Sequence, residues 1–250
     1  MPCFRFLMLF LSVSSLAHAD TLLIAVASNF RAPADELVQE FAQRTGHDVR
    51  ISSASTGKLY AQITNGAPYD VFLAADSEHP RLLEDAGLGV SGTRVSYALG
   101  ALVLWSRHSD FVNGGCREAL DNLGDRHLAI ANPDIAPYGA AARQFLIRAG
   151  LWTEVNRRLV YGESIAQALH FVATGNAQLG VIARSQVLDA RLPAGTCTWP
   201  VPAELHDPIE QQAVVLQRAA GNAAAAAFID YLAGAAAADI VRRFGYGAPE

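Results

Sequence analysis

SSASTGKLYAQITNGAPYDVFLAAD, residues 52–76, decides how the chain is read. Ser55, Thr56 and Gly57 stand where a helix begins. Tyr60 and Ile63 follow at helical spacing, and Asn65-Gly66-Ala67-Pro68 stops the helix. Tyr69 to Ala75 is then an apolar run of strand length, closed by Asp76. A polar loop, a helix, a turn and a buried strand in that order make one unit of a parallel sheet covered by helices. The helix start carries chemistry as well. Its first N–H groups lack intrahelical acceptors and lie at the positive end of the helix dipole, so hydroxyls placed there make an anion site. Ser28-Asn29 is a second hydroxyl-bearing start of this kind.

The same unit repeats outward from this stretch. Thr21 to Ala27 reads as a buried strand. Phe30, Ala34, Leu37, Val38 and Phe41 then mark one apolar helical face, with Pro33 in the first turn and Gly46 as the stop. Asp48 to Ser52 alternates as a strand, and Glu78 to Ala86 is helical, ended by Gly87. The pattern restarts from Leu99, with strands at Ala101 to Trp105 and Leu128 to Ala131 and a helix at Gly139 to Ala149. A short strand at Leu159 to Tyr161 leads into a helix with the stripe Ile165, Leu169, Val172, and Leu179 to Ile182 is a further strand. Five prolines and glycines make 192–208 the most irregular region, read as a crossing. A strand at Ala213 to Gln217 and alanine-rich helices at Asn222 to Leu232 and Ala235 to Phe244 return to the first unit. The expectation is an α/β protein of two lobes, each a mostly parallel sheet flanked by helices, with a cleft between them. Lobe one is residues 20–98 plus 204–250, and lobe two is residues 99–203.

Composition narrows the function. The chain has 250 residues, 51% apolar and 17% charged, as in a packed globular protein. Residues 1–19 carry one basic residue, Arg5, then an apolar stretch from Phe6 to Leu16 and Ala17-His18-Ala19, which reads as a signal peptide cleaved after Ala19. Cys3 precedes the apolar stretch, where a lipid-anchoring cysteine would follow it, so a soluble exported protein is expected. Two cysteines remain, Cys116 and Cys197, either bridged or present as two separate buried thiols. An oxidising compartment favours the bridge. Removing residues 1–19 takes away Arg5 and no acidic residue, so the rest is more acidic than the full chain's net −5. That excludes the basic footprint of a nucleic-acid binder. An anion would have to be held by local N–H and O–H donors. The single lysine, Lys58, reads equally as a solvated first-turn residue.

Four strand-to-helix loops carry the candidate chemistry: Ser28-Asn29, Ser55-Thr56-Gly57, Pro137-Tyr138-Gly139 and Glu163-Ser164-Ile165. In parallel α/β sheets such loops lie at the carboxyl ends of the strands, where ligands bind. N-cap preference alone explains any one of them. Four, divided between two lobes, are better explained by a shared ligand. Competing motifs fail. Gly57-Lys58 has Ser52 where a phosphate-binding loop needs glycine and Leu59 where it needs Ser or Thr. There is no Gly-x-Ser-x-Gly elbow and no His-Glu-x-x-His pair. Asp70 and Asp76 bracket a strand as a conceivable carboxylate pair, although strand-end aspartates more often cap turns.

Ala27-Ser28-Asn29, residues 54–63 (ASTGKLYAQI), residues 66–76 (GAPYDVFLAAD), Pro137-Tyr138-Gly139 and the ending Arg243-Phe244-Gly245-Tyr246 resemble the periplasmic molybdate-binding proteins of ABC transporters. The resemblance covers nearly the whole chain after residue 19. It implies the two-lobed periplasmic-binding-protein fold and capture of molybdate or tungstate by neutral hydrogen bonds. It also implies a periplasmic location and delivery of the ion to an inner-membrane permease. On the matching positions, Ser28 and Thr56 would each offer a hydroxyl and an N–H. Tyr138 and Ile165 would offer backbone N–H groups, and Asn29, Ser55 and Gly57 are further candidates. Some relatives close the site with a tyrosine where this chain has Ala183. The expected protein is a monomer without enzymatic activity or resident cofactor, with molybdenum held only as the oxyanion. The alternatives are a receptor for sulfate or another small oxyanion, a binding domain that signals without transport, and an exported enzyme acting on a small anionic substrate.

Overall fold

The computed structural model describes residues 21–108, 112 and 114–249. The export segment expected over residues 1–19, with its cleavage site, lies outside them. The described residues form two five-stranded sheets. The first is built from β1 (Leu22–Ala27), β2 (Val49–Ala54), β3 (Val71–Leu73), β4 (Val95–Gly100) and β10 (Ile209–Val215), in the spatial order β2-β1-β3-β10-β4. The second is built from β5 (Leu102–Ser106), β6 (Leu128–Ala131), β7 (Leu159–Gly162), β8 (Leu179–Ala183) and β9 (Cys197–Pro200), in the order β7-β6-β8-β5-β9. In each sheet four strands run the same way and one, β10 or β5, opposes them. The two sheets therefore have the same topology.

Strand composition follows position. β1, β6 and β8 are short aliphatic runs buried along nearly their whole length, as central strands covered on both faces must be. Helices α1 (Arg31–Thr45), α2 (Thr56–Thr64), α3 (Glu78–Asp85), α9 (Ala223–Leu232) and α10 (Ala235–Arg243) clothe the first sheet. On one face Phe30, Leu37, Phe41, Phe228 and Ile240 form its core; on the other Leu59, Ile63, Phe72 and Leu83 do. Helices α4 (Cys116–Asp121), α5 (Pro137–Arg148), α6 (Trp152–Val155), α7 (Ile165–Ala173) and α8 (Arg184–Val187) clothe the second. Its core, around Trp105, Ile130, Phe145 and Val181, extends to Ala27 and Ala75 of the first lobe. The lobes are thus pressed together.

The chain crosses between sheets twice. The first crossing falls at Ala101, later than the break after residue 98 read from the sequence, because Leu99 and Gly100 still pair with Glu210 and Ile209 in the first sheet. The second runs through residues 201–208, between β9 and β10. β9, whose Pro200 and flanking prolines disguise an edge strand, and α4 go beyond the elements expected from the sequence. The structure bridges those two elements: Cys116 and Cys197 form a disulfide with Cα atoms 5.5 Å apart.

Candidate functional site

Each parallel strand next to the cleft ends in a loop that starts a helix. β1 runs into Ser28, β2 into Ser55, β6 toward Pro137, and β7 into Glu163-Ser164. The loop ends meet at a small cavity of about 10 Å³ between the lobes. Its walls are Ala27, Ser28, Asn29, Ser55, Thr56 and Ala75 from one lobe and Ala136, Pro137, Tyr138 and Ile165 from the other. None of these side chains carries a charge. The nearest lysine, Lys58, reaches across the cleft to Glu163 at 3.3 Å, with both side chains largely in solvent.

The donors are placed by helix termini. Thr56 opens α2, Tyr138 is the second residue of α5, and Ile165 opens α7. Their N–H groups fall among the first-turn amides that no helix can satisfy internally, and no backbone hydrogen bond among the described residues uses them. Three helix N-termini, each equivalent to roughly half a positive charge, point at one spot. Ser164 caps α7 by accepting from Gln167 N–H at 3.3 Å, and Gln186 Nε2 donates to the Ile165 carbonyl at 3.2 Å, so this loop is held from both sides. Ala136 is extended (φ −133°), as a residue before proline must be, and that swings the chain into α5.

The hydroxyls differ in state. Thr56 Oγ1 accepts from Ala75 N–H at 3.0 Å, which leaves its own proton free to donate. Ser55 is buried, and its Oγ has no hydrogen-bond partner among the described residues. A buried hydroxyl without a partner costs about 1–3 kcal/mol, so natural structures keep one for a reason.

Six of the seven candidate binding residues therefore come together: Ser28, Asn29, Ser55, Thr56, Tyr138 and Ile165. Gly57 does not. Its N–H donates to the Ile135 carbonyl at 3.0 Å, across the cleft, so it joins the lobes and has nothing left for a ligand. A Cβ at this position would come within 2.9 Å of that carbonyl oxygen, which is why a glycine stands here. Asn29 also needs correction as a side-chain donor. Its Nδ2 is taken by Gln211 Oε1 at 2.9 Å and Tyr246 Oη at 3.0 Å. Ala183 is buried and lies outside the cavity wall; its N–H is held by Gln186 Oε1. The alanine walls Ala27, Ala75 and Ala136 escaped sequence reading, since small apolar residues carry no local signal. The two strand-end aspartates are structural: Asp70 accepts from Leu23 N–H at 2.8 Å and pairs with Arg218, and Asp76 accepts from His79 N–H at 3.0 Å.

Behind the cavity lies a buried polar cluster of Asn29, Tyr97, Tyr138, Ser185, Gln211 and Tyr246. Burial pushes the Tyr97 and Tyr138 phenols well above the usual tyrosine value and that of Tyr246 up to about 12, so all three stay neutral donors. Among the described residues no group of three or more His, Cys, Asp or Glu is placed to hold a metal ion.

Two lobes of identical topology, closed over a cavity lined by unpaired neutral donors, define a binding protein for a small anion. The chain belongs to the bacterial extracellular solute-binding proteins, whose family model matches residues 22–247. Among its relatives, the molybdate-binding protein ModA of Azotobacter vinelandii is 47% identical over 232 residues, which is 92% of this chain and 91% of that one. The molybdate-binding protein ModA of Rhodobacter capsulatus is 42% identical, covering 92% of this chain and 89% of its own. The solved periplasmic molybdate-binding protein of Azotobacter vinelandii superposes with a TM-score of 0.85 at 40% identity, over 92% of this chain and all of that one.

Proposed function

We propose that this protein captures molybdate in the cavity between its lobes, by uncharged donors alone, and delivers it to the membrane permease of an ABC transporter. The observation that carries this reading is the Ser55 hydroxyl, buried without a partner beside the Thr56, Tyr138 and Ile165 helix starts. Such a group needs an acceptor that arrives from outside. Molybdate is fully deprotonated near neutrality and only accepts hydrogen bonds, so it suits a wall of backbone N–H and hydroxyl donors. Hydrogenphosphate brings a proton of its own, for which the backbone N–H groups offer no acceptor; left unpaired it would cost about 1–3 kcal/mol. Tungstate has the same charge and shape and is expected to bind as well. Sulfate is also acceptor-only, so its exclusion rests on size.

The ion would be taken up in the periplasm after export and removal of the segment ending at Ala19. The protein acts as a monomer, without catalysis, and molybdenum enters only as the oxyanion. Engagement of both strand-end aspartates, Asp70 and Asp76, in structural bonds supports the non-catalytic reading. A thermal-shift panel with molybdate, tungstate, sulfate and phosphate tests it. Large shifts from the first two alone are expected. An equal or larger shift with sulfate or phosphate would replace the ligand assignment.

A further inference from the structure

Tyr138 faces two ways. Its N–H belongs to the cavity, yet its side chain, 1% exposed, crosses from lobe two into the buried polar cluster of lobe one. There its Oη accepts from Gln211 Nε2 at 3.1 Å and meets the Tyr246 hydroxyl. Gln211 Oε1 in turn accepts from Asn29 Nδ2 at 2.9 Å and from Tyr97 Oη at 3.2 Å. A second strand of the cluster also spans the lobes: Ser185 Oγ of lobe two donates to the Asn29 carbonyl at 3.0 Å, and Tyr246 Oη donates to the same carbonyl at 2.9 Å. The Tyr138 hydroxyl rests on Gly100, the last residue before the first crossing, where a Cβ would overlap it.

We infer that Tyr138 is the positioning residue of an inter-lobe latch: its phenol, with Ser185, locks lobe two onto Asn29, Gln211 and Tyr246 and thereby holds the cleft shut over the bound ion. The inference rests on the capture function proposed above. The geometry ties the two roles together. Asn29 and Tyr138 each lie on the cavity wall and in the latch, so closing the latch seats the Ser28-Asn29 loop and the Tyr138 N–H at the same time. The latch exists only when the lobes meet, so it stabilises the closed state alone and slows release without altering encounter. A phenol-to-phenyl change keeps the ring and the N–H and removes only the hydroxyl, leaving Gln211 Nε2 unpaired in the closed form.

Stopped-flow tryptophan fluorescence with molybdate tests this on the wild type, Tyr138→Phe, Ser185→Ala and Tyr231→Phe. The last changes a phenol of α9 outside the latch. Tyr138→Phe is expected to dissociate about tenfold faster with association within twofold of wild type. Ser185→Ala should show a few-fold rise in the same constant, and Tyr231→Phe none. A fold defect would lower the active fraction and leave the remaining molecules with wild-type release. Wild-type dissociation from Tyr138→Phe, in protein that binds one equivalent of molybdate, overturns the latch and leaves the capture function standing. Wild-type protein that gives no calorimetric signal with molybdate overturns the capture function, and the latch falls with it.

Discussion

Ser55→Ala separates a ligand donor from a structural hydroxyl by giving binding and stability opposite signs. A hydrogen bond from a neutral donor to a charged acceptor contributes about 1.5–3 kcal/mol, so its loss should weaken molybdate binding roughly ten- to hundredfold. The ligand-free protein behaves otherwise. Ser55 Oγ makes no hydrogen bond among the described residues, so deleting it removes no internal bond and leaves stability unchanged or raised. Thr56→Ala makes the contrast. Its Oγ1 accepts from Ala75 N–H, and truncation orphans that buried amide, which costs the ligand-free protein about 1–3 kcal/mol in addition to affinity. Thermal or urea unfolding with and without molybdate reads both. At a concentration a hundred times the wild-type Kd, ligand stabilises wild type by about 2.7 kcal/mol, and a tenfold weaker Ser55→Ala by about 1.4 kcal/mol. Calorimetric affinity within twofold of wild type, or a drop in the stability of ligand-free Ser55→Ala, would refute the assignment of Ser55 as a donor.

Gly57→Ala should weaken molybdate binding about tenfold with little effect on ligand-free unfolding, because the added Cβ pushes on the Ile135 carbonyl only when the lobes meet; titration calorimetry checks the first and thermal unfolding the second. Lys58→Gln breaks only the exposed pair with Glu163, so affinity should change less than threefold, and a larger loss by calorimetry would restore a role for charge. Replacing Cys116 and Cys197 by alanine opens a link between residues 81 apart, for which the chain-entropy model gives about 4.5 kcal/mol; urea unfolding should show most of it while molybdate affinity is kept.

The four donor loops were legible because hydroxyls and proline at helix starts are local signals, visible within a few residues of Ser28, Ser55, Pro137 and Ser164. The order of importance among them was not. Whether Ser55 or Thr56 holds the unpaired hydroxyl depends on which one Ala75 N–H reaches, and that is decided by the pairing of β3 and β2 on opposite sides of β1. Asn29 looked like a ligand donor because its partners, Gln211 and Tyr246, lie 182 and 217 residues away. Gly57 looked like part of an anion loop, whereas its partner Ile135 belongs to the other lobe. β9 was hidden for a different reason: an edge strand tolerates Pro200, which reads in sequence as a break. Long-range closure, not local composition, sets these roles.

Where the ion sits and what touches it test the capture function most directly. A crystal structure of the molybdate complex, with the metal located by its anomalous scattering, measures both. The expected result is one molybdenum between Ser28, Ser55, Thr56, Tyr138 and Ile165, with every oxygen met by a hydroxyl or backbone N–H and no arginine or lysine in contact. A molybdenum outside this cavity, or one held by a charged side chain, would contradict it.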